Sequence, residues 1–182
     1  IKMRWNEIDS DVCSVARTLS VIGERWTLLV LRDCFLGSRR FDEFQKNIGL
    51  SRHRLSDRLN KLVEHQLLEK KLYQNNPPRS EYLLTEKGLD IYPVLLSLVG
   101  WGNKWMNDED GDPMVYHHKG CDHETHPVLS CDHCGDNITA RDIIVKPGPG
   151  IVKKFNRGQM PAYMPKHLQS RFADELKSNL KK

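Results

Sequence analysis

Residues 52–64 carry polar side chains at a spacing that could bind nucleic acid. Leucines recur at helical spacing along this basic segment, which predicts a helix with one apolar face. Projected at about 100° per residue, the remaining positions place His53, Ser56, Asp57 and Asn60 on the opposite face, with Arg54 and Lys61 on one flank. A helix that is buried on one side and carries base-edge and phosphate donors on the other fits a DNA major groove.

Cysteines and histidines between residues 116 and 135 form a second group with chemical potential. Two cysteines separated by two residues and followed by a glycine have the form of a zinc knuckle, and another cysteine lies ten residues upstream. A structural zinc ion takes four ligands. A metal-free β-hairpin and a redox-active dithiol are the competing interpretations. The predicted ligands are Cys121, His123, Cys131 and Cys134, with His117, His118 and His126 as alternatives to His123.

The segments around the basic helix complete a winged helix-turn-helix pattern. A short helix is predicted over Phe41–Asn47, and Gly49 is expected in the turn because glycine adopts a left-handed backbone most easily. Ser51 precedes the basic helix and is expected to cap its first turn. Strands are predicted over Leu68–Gln74 and Glu81–Leu84, and the prolines of the NNPPRS loop between them are expected to break the strand pairing.

Charge is concentrated in this part of the chain. The 182 residues carry a net charge of +4, but ten Lys and Arg against five Asp and Glu give the stretch from Ser38 to Ser80 a charge of +5. A polyanion partner requires such a concentration. A solvated charged surface is the alternative interpretation.

The segment from Glu86 to Met106 is predicted to be a helix with more apolar surface than one small domain can bury. We therefore expect it to contact a second subunit, although core packing within one subunit is the alternative. Its large apolar residues are Ile91, Val94, Leu95, Leu98, Trp101 and Trp105.

Other sequence features limit the classes of protein. No segment is long and apolar enough to span a membrane, so no membrane partner is expected. The five cysteines are an odd set without the pattern of a secreted disulfide framework, which favours the reducing cytoplasm. No nucleophile–base pair or acidic dyad is evident, and the chain is not expected to be an enzyme.

Three stretches together resemble the HxlR-type transcriptional regulators, a bacterial winged-helix family with MarR-like architecture. They are CSVARTLSVIGERWTLLVLRDCFLGSRRFDEF, IGLSRHRLSDRLNKLVEHQLLEKKLY and PPRSEYLLTEKGLDIYPVLLSLVGW. The resemblance implies a homodimer that binds an inverted-repeat operator in double-stranded DNA, as repressor or activator. It also implies that Cys13, at the start of the first helix, senses oxidants or electrophiles, since a helix N-terminus favours the thiolate; a buried residue in the dimer seam is the alternative. A small-molecule effector is a further expectation.

Roles in DNA binding follow from the position and chemistry of each side chain. Base-edge contacts are expected from the start of the basic helix. Phosphate contacts are expected from its flanks and from the residues before the Phe41–Asn47 helix, and backbone or minor-groove contacts from the wing. The base-edge candidates, beside the capping Ser51, are Arg52, His53, Arg54, Ser56 and Asn60. The phosphate candidates are Arg39, Arg40, Arg58 and Lys61, and the wing candidates are Asn75, Asn76 and Arg79.

The predicted fold is α+β and mainly helical: a winged helix-turn-helix with a small C-terminal zinc-ribbon-like β appendage and a terminal helix. Three domains are predicted: residues 8–107 for DNA binding and dimerisation, 113–150 for the ribbon-like extension, and 151–182 for a basic tail. The terminal helix is expected at about residues 165–180, with Leu168, Phe172, Leu176 and Leu180 on one face. A protein-interaction or thiol/metal module centred on Cys131 and Cys134 is the alternative function.

Overall fold

The computed structural model of the chain describes residues 13–159 and 164–179. The chain divides into two compact units, one running from Glu24 to Thr139 and the other formed by the residues before and after it. The first predicted domain begins outside the described residues, and the bounds of all three predicted domains remain predictions.

The architecture is mainly helical, with two small antiparallel sheets of two strands each. None of the described helices is both long and apolar enough to cross a membrane. The helices are α1 (Ser14–Ile22), α2 (Arg25–Phe35), α3 (Phe41–Ile48), α4 (Arg52–Glu64), α5 (Glu86–Leu89), α6 (Tyr92–Trp105), α7 (Pro149–Asn156) and α8 (Lys166–Asn179). The strands are β1 (Leu68–Asn75), β2 (Pro78–Leu84), β3 (His117–His118) and β4 (His123–Glu124).

The core of the unit from Glu24 to Thr139 lies where α2, α3 and α4 pack together. The leucines of α4, Leu55, Leu59 and Leu62, are fully buried, which confirms the predicted apolar face. Burying a leucine side chain contributes about 1.5–3 kcal/mol, so this face fixes the rotation of α4 about its axis. The fully buried apolar side chains of these helices are Val30, Leu31, Phe44, Leu55, Leu59 and Leu62.

The turn between α3 and α4 follows the prediction in its glycine but not in its serine. Gly49 has φ +74° and ends α3 in the left-handed conformation. Ser51 precedes α4, but its side chain makes no capping hydrogen bond; the expected cap is wrong. At the start of α3, the Glu43 carboxylate accepts hydrogen bonds from the backbone N–H groups of Arg39 and Arg40, at 2.8 and 2.9 Å.

The β1–β2 hairpin is longer than predicted. Pairing runs from Leu68 opposite Leu84 to Asn75 opposite Pro78, so the prolines do not break it. Pro78 is tolerated because it occupies the last pair of the ladder, beside a turn, where a missing N–H disrupts little. A bulge between Leu72 and Gln74 leaves the intervening residue without a partner across the hairpin.

The long helix predicted after the hairpin is divided into α5 and α6. The Thr85 hydroxyl caps α5 by accepting a hydrogen bond from the Gly88 N–H at 3.1 Å. Pro93 lies in the first turn of α6, where a missing N–H costs little. Gly88 lies so close to the residue before β1 that an added Cβ would stand 2.1 Å from the Leu67 carbonyl oxygen.

The second unit contains α1, α7 and α8. The predicted terminal helix is confirmed as α8, and Phe172 and Leu176 on its apolar face are buried. Leu180, the last predicted residue of that face, lies outside the described residues. Ile22 is buried at the end of α1, whereas Val15 and Leu19 are exposed on the same helix.

We expect Leu59→Ala to lower the free energy of unfolding by about 2–5 kcal/mol, because removing a fully buried leucine leaves a cavity. Leu72→Ala is the matched control, since Leu72 is 52% exposed on the hairpin and its loss should change stability by less than about 0.5 kcal/mol. Urea unfolding measures both values. Equal effects would show that the buried face of α4 does not anchor this unit.

Candidate nucleic-acid interface

The face of α4 opposite its buried leucines carries the predicted base-reading side chains. His53 and Arg54 are exposed at the start of the helix. The Arg54 guanidinium has no hydrogen-bond or ion-pair partner among the described residues, whereas His53 Nδ1 lies 3.1 Å from the Asp57 carboxylate. Further along, the Asn60 amide donates to the Ser56 hydroxyl at 3.5 Å. Of these groups, Arg54 is the cation most available to a ligand.

Arg52 is placed differently from the base-reading role predicted for it. Its guanidinium lies over the Phe41 ring, 4.9 Å from the ring centre. It also donates to the Gln45 side chain at 3.4 Å and lies 3.7 Å from an Asp42 carboxylate oxygen. The side chain therefore folds back on α3 instead of projecting from α4. It remains exposed, which suits a contact with a phosphate beside the turn better than a contact with a base.

Arg40 is held at the start of α3 by an aromatic ring of the hairpin. Its guanidinium lies 4.9 Å from the centre of the Tyr73 ring, and Tyr73 is the residue that the bulge in β1 leaves unpaired. Bulges redirect side chains, and a guanidinium over an aromatic face is stabilised electrostatically. The Tyr82 N–H donates to the Arg39 carbonyl at 2.7 Å, which ties this segment to β2.

These side chains line one open groove of about 610 Å³ between the start of α3, the start of α4 and the hairpin. Three predicted DNA-contacting residues that are distant in sequence, Arg40, Arg52 and Arg79, line this groove. It also adds two residues that the sequence analysis missed. The positive charge of Lys70 within a predicted strand could have indicated it, but nothing in the sequence located the bulge at Tyr73. The cationic residues of the groove are Arg40, Arg52, Lys70 and Arg79, and its aromatic residues are Phe41, Tyr73 and Tyr82.

Other predicted contacts lie outside this groove. Arg58 is only 25% exposed at its side chain and its guanidinium lies 3.6 Å from the Glu24 carboxylate, so a phosphate contact would require this ion pair to open. Lys61 is half-buried on α4. At the tip of the hairpin, Asn75 and Asn76 are exposed, and the Gln74 amide donates to the Asn76 carbonyl at 3.1 Å.

Cys34 and Cys13 lie in different environments. Burial, reinforced by the adjacent Asp33 carboxylate, raises the pKa of the Cys34 thiol to about 12. Cys34 is therefore a packing residue with little thiolate at neutral pH. Cys13 is half-buried at the residue that precedes α1, and its redox role remains a prediction.

The predicted zinc ligands lie in two turns and in β4, where His123 Nδ1 lies 2.8 Å from the Cys121 carbonyl oxygen. Cys131 and Cys134 share one turn, where backbone N–H groups of Cys134 and His133 hold the pKa of the Cys131 thiol below its usual value. Cys121 lies in another turn beside His118. Over the part of the chain that the structure describes, no three His, Cys, Asp or Glu side chains are grouped as a metal site requires. The zinc site remains a prediction.

Comparisons with known proteins agree on the class of this fold. The family model of HxlR-like helix-turn-helix proteins matches residues 21–110. The HTH-type transcriptional regulator Rv3095 of Mycobacterium tuberculosis is 43% identical over 142 residues, which are 78% of this chain and 90% of that protein. The regulator sll1512 of Synechocystis is 33% identical over 99 residues, 54% of this chain and 73% of that protein.

Solved structures are similar over most of the chain. PA1607, described as a candidate transcription factor, superposes with a TM-score of 0.70 and 31% identity over 77% of this chain and 98% of that one. PA1374 of Pseudomonas aeruginosa, described in the same way, gives a TM-score of 0.55 and 30% identity over 87% of this chain and 99% of that one.

The hydrogen bonds at the start of α3 predict a specific acid sensitivity. The Arg39 and Arg40 N–H groups lower the pKa of the Glu43 carboxyl from its ordinary value of 4.5. A carboxylate with a lowered pKa in the folded state stabilises the fold fully above its unfolded pKa, and this contribution is lost as the pH falls through the folded value. We expect Glu43→Gln to lower stability at neutral pH and to lose less stability than wild type on acidification below pH 4.5.

Urea unfolding at a series of pH values measures this difference. Glu64→Gln is the matched control, because Glu64 is an exposed helical glutamate with no side-chain partner among the described residues. Identical pH profiles for Glu43→Gln and wild type would contradict the assignment.

Proposed function

The chain belongs to the HxlR-like helix-turn-helix family of transcriptional regulators, and we propose that it binds an inverted-repeat operator in double-stranded DNA as a homodimer. The observation that carries this proposal is the orientation of α4. Its buried leucines direct the exposed face, with the unpartnered Arg54 near its start, away from the core. A recognition helix contacts base edges through its N-terminal residues.

Arg54 is proposed to read a base pair, because arginine contacts guanine most specifically when both hydrogen bonds are made in the major groove. The groove beside α4 would bind the phosphate backbone. Arg40 and Arg52 are already held over aromatic rings, so less side-chain entropy is lost when they contact a phosphate. The exposed tip of the hairpin, with Asn75, Asn76 and Arg79, would act as a wing against the adjacent minor groove or backbone.

The homodimer is proposed from the exposed face of α6. Four large apolar side chains recur at helical spacing and are 42–66% exposed, which is unusual for a soluble surface unless a partner covers it. A two-fold dimer matches an inverted-repeat operator, since each subunit reads one half-site. These side chains are Val94, Leu98, Trp101 and Trp105.

We also propose that the protein responds to an effector. Cys13 is proposed as the site of an oxidant or electrophile response. For a small apolar effector, a cavity of about 350 Å³ lies between α2 and α6, within the size range of small-molecule sites. It is lined by Leu28, Leu29, Phe35, Tyr92, Leu95 and Tyr116, with Arg32 as its cation.

We expect Arg54→Ala and Arg40→Ala to weaken DNA binding in different ways. Loss of Arg54 should cost about 1–3 kcal/mol on the preferred duplex and relax the preference at one base pair. Loss of Arg40 should weaken binding to all DNA sequences alike. It should also reduce the slope of the logarithm of the binding constant against the logarithm of the salt concentration by about 1. Fluorescence anisotropy with duplexes selected from a random pool measures both.

Lys87→Ala is the charge-matched control. Its ammonium group donates to the His65 carbonyl at 2.8 Å, beyond the C-terminal end of α4 and away from the proposed interface. Unchanged affinity and sequence preference in Arg54→Ala would reject the base-reading role.

We expect Trp101→Glu to dissociate the homodimer, because a carboxylate would be buried against the apolar α6 face of the partner. Light scattering coupled to size-exclusion chromatography should then report the mass of one chain in place of two. Leu72→Glu is the matched control, since this leucine is similarly exposed on the hairpin and should leave the mass unchanged. A wild-type protein with the mass of one chain would contradict the homodimer directly.

A further inference from the structure

The cavity between α2 and α6 has mainly aliphatic walls. Seven of its eleven lining residues are leucine or valine, and they come from both helices. Its volume of about 350 Å³ is near the lower end of the range for small-molecule sites. A ligand that fills this cavity is therefore small and largely apolar.

The aromatic rings of the cavity leave no slot for a flat ligand between them. The Phe35 and Tyr92 rings already pack on each other, with their centres 4.6 Å apart and their planes inclined by 43°. A third ring would have to separate them before it could stack between their faces. The walls therefore favour a flexible aliphatic chain over an aromatic ring system.

Among the described residues that line the cavity, Arg32 is the one cation. Its side chain is 41% exposed, and it is fixed by the buried Asp33, because Nε and Nη2 donate to the same carboxylate oxygen at 2.9 and 2.7 Å. A guanidinium has five N–H donors, and the others have no partner among the described residues. Arg32 is thus held in place with donors left for an acceptor on a ligand. The Asp33 carboxylate offsets part of its charge, so an anionic ligand needs further donors.

Two phenol hydroxyls supply these further donors. Tyr92 and Tyr116 line the cavity, and neither hydroxyl has a hydrogen-bond partner among the described residues. Burial and the nearby Tyr116 phenol raise the pKa of Tyr92 above its ordinary value of 10, so the Tyr92 hydroxyl keeps its proton at neutral pH. A few polar groups in a mainly apolar cavity fix the orientation of a ligand and select its polar end.

The cavity also lies between the parts of the protein that an effector would have to connect. Helix α2 packs against α3 and α4, which carry the candidate interface. Leu98 lines the cavity and belongs to the exposed apolar face of α6. A ligand in this position contacts both the helix that supports α4 and the edge of the proposed dimer surface.

We propose that this cavity binds an aliphatic monocarboxylate. Its chain lies against the leucines of α2 and α6, and its carboxylate accepts hydrogen bonds from Arg32, Tyr92 and Tyr116. Arginine is well suited to this role because its planar donors match the two oxygens of a carboxylate. The proposal rests on the effector response proposed above and names the chemical class of that effector. Such a ligand changes DNA affinity only as far as it binds the two states of the dimer unequally.

Isothermal titration calorimetry of the full chain with decanoate, methyl decanoate and naphthoate tests the ligand class without any substitution. We expect one decanoate per chain and weaker binding of the flat naphthoate. The uncharged ester should bind at least about tenfold more weakly, because hydrogen bonds to a charged group are the stronger ones. Failure of decanoate to bind overturns the proposal, and so does equal affinity for the ester. Tighter binding of naphthoate overturns the aliphatic class.

Substitutions then test the polar end of the site. Tyr92→Phe combined with Tyr116→Phe removes both hydroxyls and keeps both rings, and it should weaken decanoate binding about tenfold or more. Arg32→Lys keeps a cation beside Asp33 but loses the planar donors, and it should also weaken binding. Tyr73→Phe is the matched control, because its phenol lies on the hairpin outside the cavity. Unchanged decanoate affinity in both cavity variants overturns the proposed carboxylate contacts.

The dimer and the DNA supply the remaining tests. Decanoate binding by Trp101→Glu but not by wild type would show that the second subunit fills the cavity, and it would overturn the proposal. A change in the DNA affinity of wild type on adding decanoate, absent from the double tyrosine variant, supports the effector response. Decanoate binding without any change in DNA affinity supports the site but overturns that response. Absence of DNA binding by wild type would overturn the proposed function and leave the ligand site standing.

Discussion

The burial of one leucine face of α4 is the constraint on which the candidate interface depends. Leu55, Leu59 and Leu62 are completely excluded from solvent, so α4 cannot rotate about its axis without exposing them. That fixed rotation decides which side chains face outward, and it leaves Arg54 without a protein partner among the described residues while placing Arg58 against Glu24. The core therefore determines, by packing alone, which cations are available to DNA.

Aromatic rings then set the positions of the cations around α4. Arg40 is held over Tyr73 and Arg52 over Phe41. Contacts within the protein therefore order two guanidinium groups of the groove, whatever the sequence of the DNA. This division suits a protein–DNA interface, in which phosphate contacts fix the register and base contacts supply specificity. The bulge in β1 is part of the same arrangement, because it leaves Tyr73 unpaired and able to meet Arg40.

Sequence patterns predicted the elements better than the orientation of individual side chains. Periodic leucines identified α4, and Gly49 identified its preceding turn, because both signals are local. The roles of Ser51 and Arg52 could not be predicted in this way. Ser51 makes no capping bond, and Arg52 turns toward the Phe41 ring and the Gln45 side-chain amide oxygen of α3.

The close approach at Gly88 has a mechanical consequence. The backbone of α5 lies against that of Leu67, the residue before β1. Next to it, the Thr85 hydroxyl donates to the Gln66 carbonyl at 2.6 Å and the Lys87 ammonium group donates to the His65 carbonyl. These bonds fasten α5 to the residues that follow α4. Any side chain larger than glycine at position 88 would therefore push α5 away from Leu67 and strain the bonds beside it.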